Sequence, residues 1–202
     1  MKEPYVILAS GSPRRREIVE SLGIPFRVVT SGVSEDIEDG FSPEEIVRKL
    51  ADRKAKAVAA SLQEGLVIGS DTTIAFDGSV LGKPADAEEA IRMLQRLRGQ
   101  EHEVLTAVAI VNVETGRTEC GVETTRVVMR NYSDDEVKNY VDSGEPMDKA
   151  GSYAIQGKGG ALVESIDGPL ENVIGLPRDL LVELLAAFGV KLDGSKSRRP
   201  SN

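Results

Sequence analysis

Apolar residues fall along this chain in two alternating rhythms. Short runs of strand character, Tyr5 to Ala9, Phe26 to Thr30 and Leu66 to Ser70, are separated by segments whose apolar positions recur at helical spacing. The alternation predicts a layered α/β architecture. Helix starts are marked by caps: Ser12 before Pro13, Ser42 with Glu45, Asp86 with Glu89, Ser133 with Glu136, and Pro177 before the last helix. These helices are expected to end at Gly23, near Ser61, near Gly99, near Ser143 and before Gly189. Asp77-Gly78 reads as a hairpin tip between Thr73-Ile74-Ala75-Phe76 and Val80-Leu81. Two long strands, about His102 to Val113 and Thr118 to Arg130, are expected to pair antiparallel around Glu114-Thr115-Gly116. The Gly-rich stretch from Gly151 to Val173 reads as short strands, and the polar, basic tail from Lys191 to Asn202 as disordered. Residues 1–190 are read as a single domain.

Composition narrows the function. The formal charge of −8 over 202 residues argues against a general nucleic-acid surface, which needs a basic face along the polyanion. Cys120 is the only cysteine, so neither a disulfide framework nor a cysteine zinc site is expected, and a reducing interior is the natural compartment. No apolar run is long enough to cross a bilayer, and the chain is expected to be cytoplasmic with no membrane partner. His102, the single histidine, lies inside a strand-like stretch and has no nucleophile elbow to serve, which argues against a Ser-His-Asp hydrolase. With no Trp, four Tyr and four Phe, stacking platforms for single-stranded bases are few.

The candidate chemistry gathers where elements end. Leu8-Ala9-Ser10-Gly11-Ser12-Pro13-Arg14-Arg15 joins a strand to a helix through small residues, so backbone N–H groups and forked guanidinium donors meet at one turn. Arg14, Arg15 and Arg16 oppose the helix dipole unless an anion offsets them, although an ordinary solvated basic turn is also compatible. Asp71 follows Leu66-Val67-Ile68-Gly69-Ser70 and is expected at a strand's carboxyl end, where open α/β sheets bind ligands. It fits a metal-linked carboxylate or a turn aspartate bonded to its own backbone. Glu35, beyond the second strand, could share a magnesium ion with Asp71 or remain a solvated loop acid. Lys54 is four residues from both Leu50 and Val58 and so points inward, toward an anion or as a lysine snorkelling at the core's edge. Lys83, between Gly82 and Pro84, sits in a rigid loop where it can meet phosphate or face water. Gly157-Lys158-Gly159-Gly160 lacks the spacing of a nucleotide fingerprint and reads as a turn.

The opening segment, Gly69-Ser70-Asp71-Thr72, Gly82-Lys83-Pro84, Leu105-Thr106-Ala107-Val108, the run Asp148 to Gly157 and Asn172-Val173-Ile174-Gly175-Leu176-Pro177 together resemble the Maf nucleotide pyrophosphatases, from about residue 5 to residue 188. The resemblance implies a mixed twisted sheet flanked by helices, with a cleft between two lobes. It also implies hydrolysis of a nucleoside triphosphate to monophosphate and pyrophosphate with a divalent cation, Mg2+ or Mn2+. Asp71 matches the family's proton acceptor. Arg14, Thr72 and Gln156 match positions tied to substrate choice, and Ser10, Arg15, Glu35, Lys54 and Lys83 match the phosphate- and metal-handling set. The Asp-Lys-Ala-Gly-Ser-Tyr and Ile-Gln-Gly run is similar to the branch acting on dTTP and UTP, and Gln156 offers both a donor and an acceptor to the imide edge of uracil or thymine. Ser70 stands where many members have alanine, and is expected to add a hydroxyl beside Asp71. A homodimer is implied as well. Two rival expectations are a nucleotide-binding regulator of cell division or septum formation with little turnover, and hydrolysis of damaged purine triphosphates on a related architecture.

Overall fold

A computed structural model describes residues 5–36 and 40–192. Most of the expected tail therefore lies outside the described residues. Three strands run parallel: β1 (Val6–Leu8) lies between β2 (Phe26–Val28) and β3 (Leu66–Phe76). The sheet continues antiparallel through β5 (Glu101–Asn112), β6 (Thr118–Met129) and β7 (Val163–Asp167), in the order β2-β1-β3-β5-β6-β7, and β4 (Ser79–Leu81) pairs with the far half of β3. The β3–β4 turn is the expected Asp77-Gly78, both in the left-handed region at φ 49° and 70° as a tight hairpin requires.

Helices cover both faces. Alternation along β1 and β3 sends Val6, Leu8, Leu66 and Ile68 toward α1 (Pro13–Ser21) and α6 (Arg178–Ala187), where they meet Val19, Leu181 and Leu185. Ile7 and Val67 face α2 (Pro43–Ala59) with Val47, Ala51 and Ala55. Gly69 lies on that second face, and a Cβ there would stand 2.2 Å from the Ala51 carbonyl oxygen, so glycine lets α2 settle onto β3. Beyond the end of β1, the long strands run on into a third apolar cluster. There Ile74, Val104, Val127 and Met129 pack with α3 (Ala87–Leu97), α4 (Asp134–Asp142) and Tyr153. This cluster forms the second lobe, and the cleft lies between it and the parallel strands.

Three expectations change. β1 and β2 are shorter than Tyr5 to Ala9 and Phe26 to Thr30. The strand ending at Ser70 instead runs unbroken to Phe76, because β5 pairs with it from Leu66 opposite Asn112 to Ala75 opposite Glu103. Asp71 is thus mid-strand, yet β1 stops opposite Ile68, so Asp71 emerges where the parallel part of the sheet ends. The stretch from Gly151 to Val173 holds 3-10 turns at Ala150–Ser152 and Lys158–Leu162, then β7 and the short α5 (Leu170–Ile174). Left-handed backbone at Gly151, Ser152 and Gly157 is incompatible with strand pairing. The amides of Lys158 and Gly159 donate to the Glu145 carboxylate, so the Gly-rich turn is filled by the protein's own acid.

Candidate active site

The turn from β1 into α1 forms as its residues dictate: Ser12 caps the helix by accepting from the Arg15 amide, and Pro13 occupies the first turn, where its missing N–H costs nothing. Arg15 is thereby aimed back across the end of the sheet. Its Nε donates to the Gly175 carbonyl at 2.8 Å, Nη2 to Thr72 Oγ1 at 3.2 Å and Nη1 to Ser10 Oγ at 3.4 Å. Gly175 ends α5 at φ 117°, which turns its carbonyl toward β3. Burial lowers the pKa of the Arg15 guanidinium, opposed by the negative charges of Asp71 and Glu35.

Lys54 joins the two candidate carboxylates. α2 carries it on the buried stripe, and the close approach allowed by Gly69 brings its Nζ to 2.6 Å from Asp71 Oδ1 and 2.7 Å from Glu35 Oε1. Glu35 Oε2 accepts in turn from Lys83 at 2.9 Å, giving a continuous chain Lys83–Glu35–Lys54–Asp71. Lys54 and Asp71 are 8% and 7% exposed, so this ammonium is held by acids in the interior rather than snorkelling into water. Hydrogen bonds from Lys54 and Lys83 pull the Glu35 carboxyl down to about 2. Burial pushes the Asp71 carboxyl up from its ordinary value, with Lys54 and Arg15 offsetting part of that rise.

These groups surround a cavity of about 370 Å³ in the cleft. Its lining combines charged side chains, the linked Lys83, Glu35, Lys54 and Asp71 with Arg14, Arg15 and the Asp148–Lys149 pair, and apolar ones, of which Ile74, Val104, Tyr153 and Val173 pack as one cluster. Seven of the nine residues singled out from the sequence line this cavity: Arg14, Arg15, Glu35, Lys54, Asp71, Thr72 and Lys83. Ser10 lines an adjoining space of about 360 Å³ that shares Arg15, Glu35, Lys54 and Lys83. Gln156 does not join them: it is exposed, and its neighbour Ile155 provides the wall. The Ser70 hydroxyl does not lie beside Asp71 either. Alternation along β3 points it to the opposite face, where it donates to the Gly175 carbonyl at 3.0 Å. Asp148 and Lys149, which open the run that carries the resemblance but had no role of their own in the sequence reading, form an ion pair and also line the cavity. His102 is buried in β5 with Nε2 2.7 Å from the Tyr153 hydroxyl, which sets the ring that lines the cavity.

No group of three or more His, Cys, Asp or Glu gathers among the described residues. Two carboxylates beside a cationic pocket suit an Mg2+-like ion that takes its other oxygens from water and phosphates rather than from a protein cage. Glu35 and Asp71 fit that role once they share their inner oxygens, now bonded to Lys54.

A family model described as "Maf-like protein" matches residues 5–188. A dTTP/UTP pyrophosphatase of Pelotomaculum thermopropionicum is 46% identical over 189 residues, covering 94% of this chain and 98% of its own. A dTTP/UTP pyrophosphatase of Bacillus velezensis is 46% identical over 186 residues, covering 92% and 97%. The Staphylococcus aureus Ham1 protein shares the fold at a TM-score of 0.53 and 15% identity, over 91% of this chain and 97% of that one. No helix among the described residues is long and apolar enough to cross a membrane.

Proposed function

We propose, starting from a chain that belongs to the Maf-like protein family, that it hydrolyses dTTP and UTP to the nucleoside monophosphate and pyrophosphate. The carrying observation is the lining of the cleft: cationic side chains and a buried carboxylate together with a packed apolar group, in a cavity on the scale of one nucleotide. Water attacks the α-phosphorus, the bond to the bridging oxygen breaks, and its electron pair leaves with pyrophosphate. Asp71 orients the water and takes its proton; burial makes its carboxylate a better base than a surface aspartate. Lys54, bonded to Asp71, keeps that carboxylate aimed and ionised. Arg14, Arg15 and Lys83 meet the charge that grows on the leaving group. A divalent cation held by Glu35 and Asp71 would neutralise phosphate charge and align the triphosphate. The reading includes one domain over residues 1–190, a homodimer, a cytoplasmic setting and acceptance of modified pyrimidine triphosphates.

The test is pyrophosphate release by the purified protein with Mg2+ or Mn2+ across a nucleotide panel. Turnover of dTTP and UTP is expected, and Asp71→Asn should lower kcat by about 10²- to 10⁴-fold. Release from no triphosphate, or an Asp71→Asn protein as active as wild type, overturns the proposal.

A further inference from the structure

From Thr72 at the cavity wall a row of hydroxyls runs inward to the buried Thr106, and their proton directions can be read from their terminal acceptors. Thr106 on β5 sits directly opposite Thr72 on β3, and their Oγ1 atoms are 2.9 Å apart. Distance alone does not say which donates. Thr106 Oγ1 also lies 2.9 Å from the Asn172 carbonyl, which can only accept, so Thr106's single proton goes there. The Thr72 proton must therefore point inward to Thr106.

On its other side Thr72 Oγ1 accepts from Arg15 Nη2. With its proton committed to Thr106 and one lone pair committed to Arg15, Thr72 offers the cavity a lone pair and nothing else. The far end of the relay is equally fixed. Asn172, fully buried, donates through Nδ2 to the Val104 carbonyl and to Thr125 Oγ1, whose own proton goes to the Pro169 carbonyl. Reversing the amide would set its oxygen against the Val104 carbonyl, so Asn172 holds α5 and its carbonyl in one orientation.

We propose that Thr106, which lines neither cavity, is a positioning residue for substrate choice: it turns the Thr72 hydroxyl into a dedicated acceptor. The assignment rests on reading the cleft as a pyrimidine nucleotide site. Thr72 lines the cavity between Arg15, which bonds its hydroxyl, and the apolar cross-strand pair Ile74 and Val104 two residues on. An acceptor there favours a base that presents a ring N–H, as the imide of uracil and thymine does. It disfavours cytosine, whose corresponding ring nitrogen carries a lone pair. If Thr106 lacked its oxygen, the Thr72 proton would have no inward acceptor and could turn to the cavity, and the distinction would weaken.

The experiment compares wild type, Thr106→Val and Thr106→Ser as full chains, measuring kcat/KM for UTP and for CTP by pyrophosphate release, with Tm recorded for each. Valine matches threonine in shape, and the Asn172 carbonyl keeps the Gly175 amide as a donor. Wild type should favour UTP over CTP. Thr106→Val should lower that ratio about 3- to 10-fold, the worth of one hydrogen bond, and Thr106→Ser should hold the wild-type ratio. A ratio unchanged in Thr106→Val overturns the proposal, even if overall turnover falls, and so does an equal drop in Thr106→Ser. Wild type that releases no pyrophosphate from UTP overturns instead the function on which the proposal stands.

Discussion

Replacing Lys54 by methionine removes an ammonium while keeping the unbranched stem. That ammonium donates at 2.6 Å to Asp71, and both side chains are only 10% exposed. The Asp71 carboxylate is then left desolvated without its partner. Breaking a buried pair by removing one member costs about 3–5 kcal/mol, toward the lower figure if the carboxyl relieves the charge by taking up a proton. At roughly 2–4 °C per kcal/mol for a chain of this size, Tm should fall by about 6–20 °C. Glu35 adds little, since its side chain is 48% exposed and keeps Lys83 at 2.9 Å. The Lys54→Met/Asp71→Asn double variant removes both charges, so it should be more stable than Lys54→Met alone. Urea unfolding of wild type, both single variants and the double at pH 7.5 completes a thermodynamic cycle. A Lys54→Met protein within about 1 kcal/mol of wild type would place the pair among weak surface pairs and refute the reasoning. A double variant less stable than Lys54→Met would refute it too.

Two further outcomes follow from the geometry. Burial pushes His102 down to about 4 from 6.5, so below pH 6.5 the unfolded chain binds a proton that the folded one does not. Stability from this group should be full above pH 6.5, fall as pH drops and level off below about pH 4, losing at most about 3 kcal/mol. Urea midpoints between pH 7.5 and 4 should slope less in His102→Gln, which can still bond the Tyr153 hydroxyl; equal slopes would count against this account. Ser70→Ala removes a hydroxyl on the face opposite Asp71, while the Gly175 carbonyl keeps Arg15 as a donor. It should cost about 1 kcal/mol in unfolding experiments and leave the ratio of Mg2+ to Mn2+ activity unchanged, so a shift in metal preference would contradict the placement.

Local signals were legible because local physics enforces them. Ser12, Ser42, Asp86 and Ser133 cap the helices they were expected to cap, since each side chain satisfies an amide within three residues. Asp77-Gly78 turns a hairpin because both residues tolerate positive φ. The inward aim of Lys54 was visible in its spacing from Leu50 and Val58, and the resemblance gathered Arg14, Arg15, Glu35, Lys83, Asp71 and Thr72 into one site. Other features depended on partners far away in the chain. Whether β3 ended at Ser70 was decided by β5, whose register pairs with it far past Asp71. The side of the strand on which the Ser70 hydroxyl would lie was settled by pleat and by the Gly175 carbonyl, 105 residues distant. Gln156 carried the right chemistry, but left-handed backbone at Gly151, Ser152 and Gly157 replaced the expected strands with turns and left it exposed outside the wall. Residue types and short spacings thus determined the elements, their caps and the chemical character of the cleft. The proton directions through Thr72, Thr106 and Asn172 belong to the tertiary structure alone, because a hydroxyl donates toward whichever acceptor the rest of the fold places beside it.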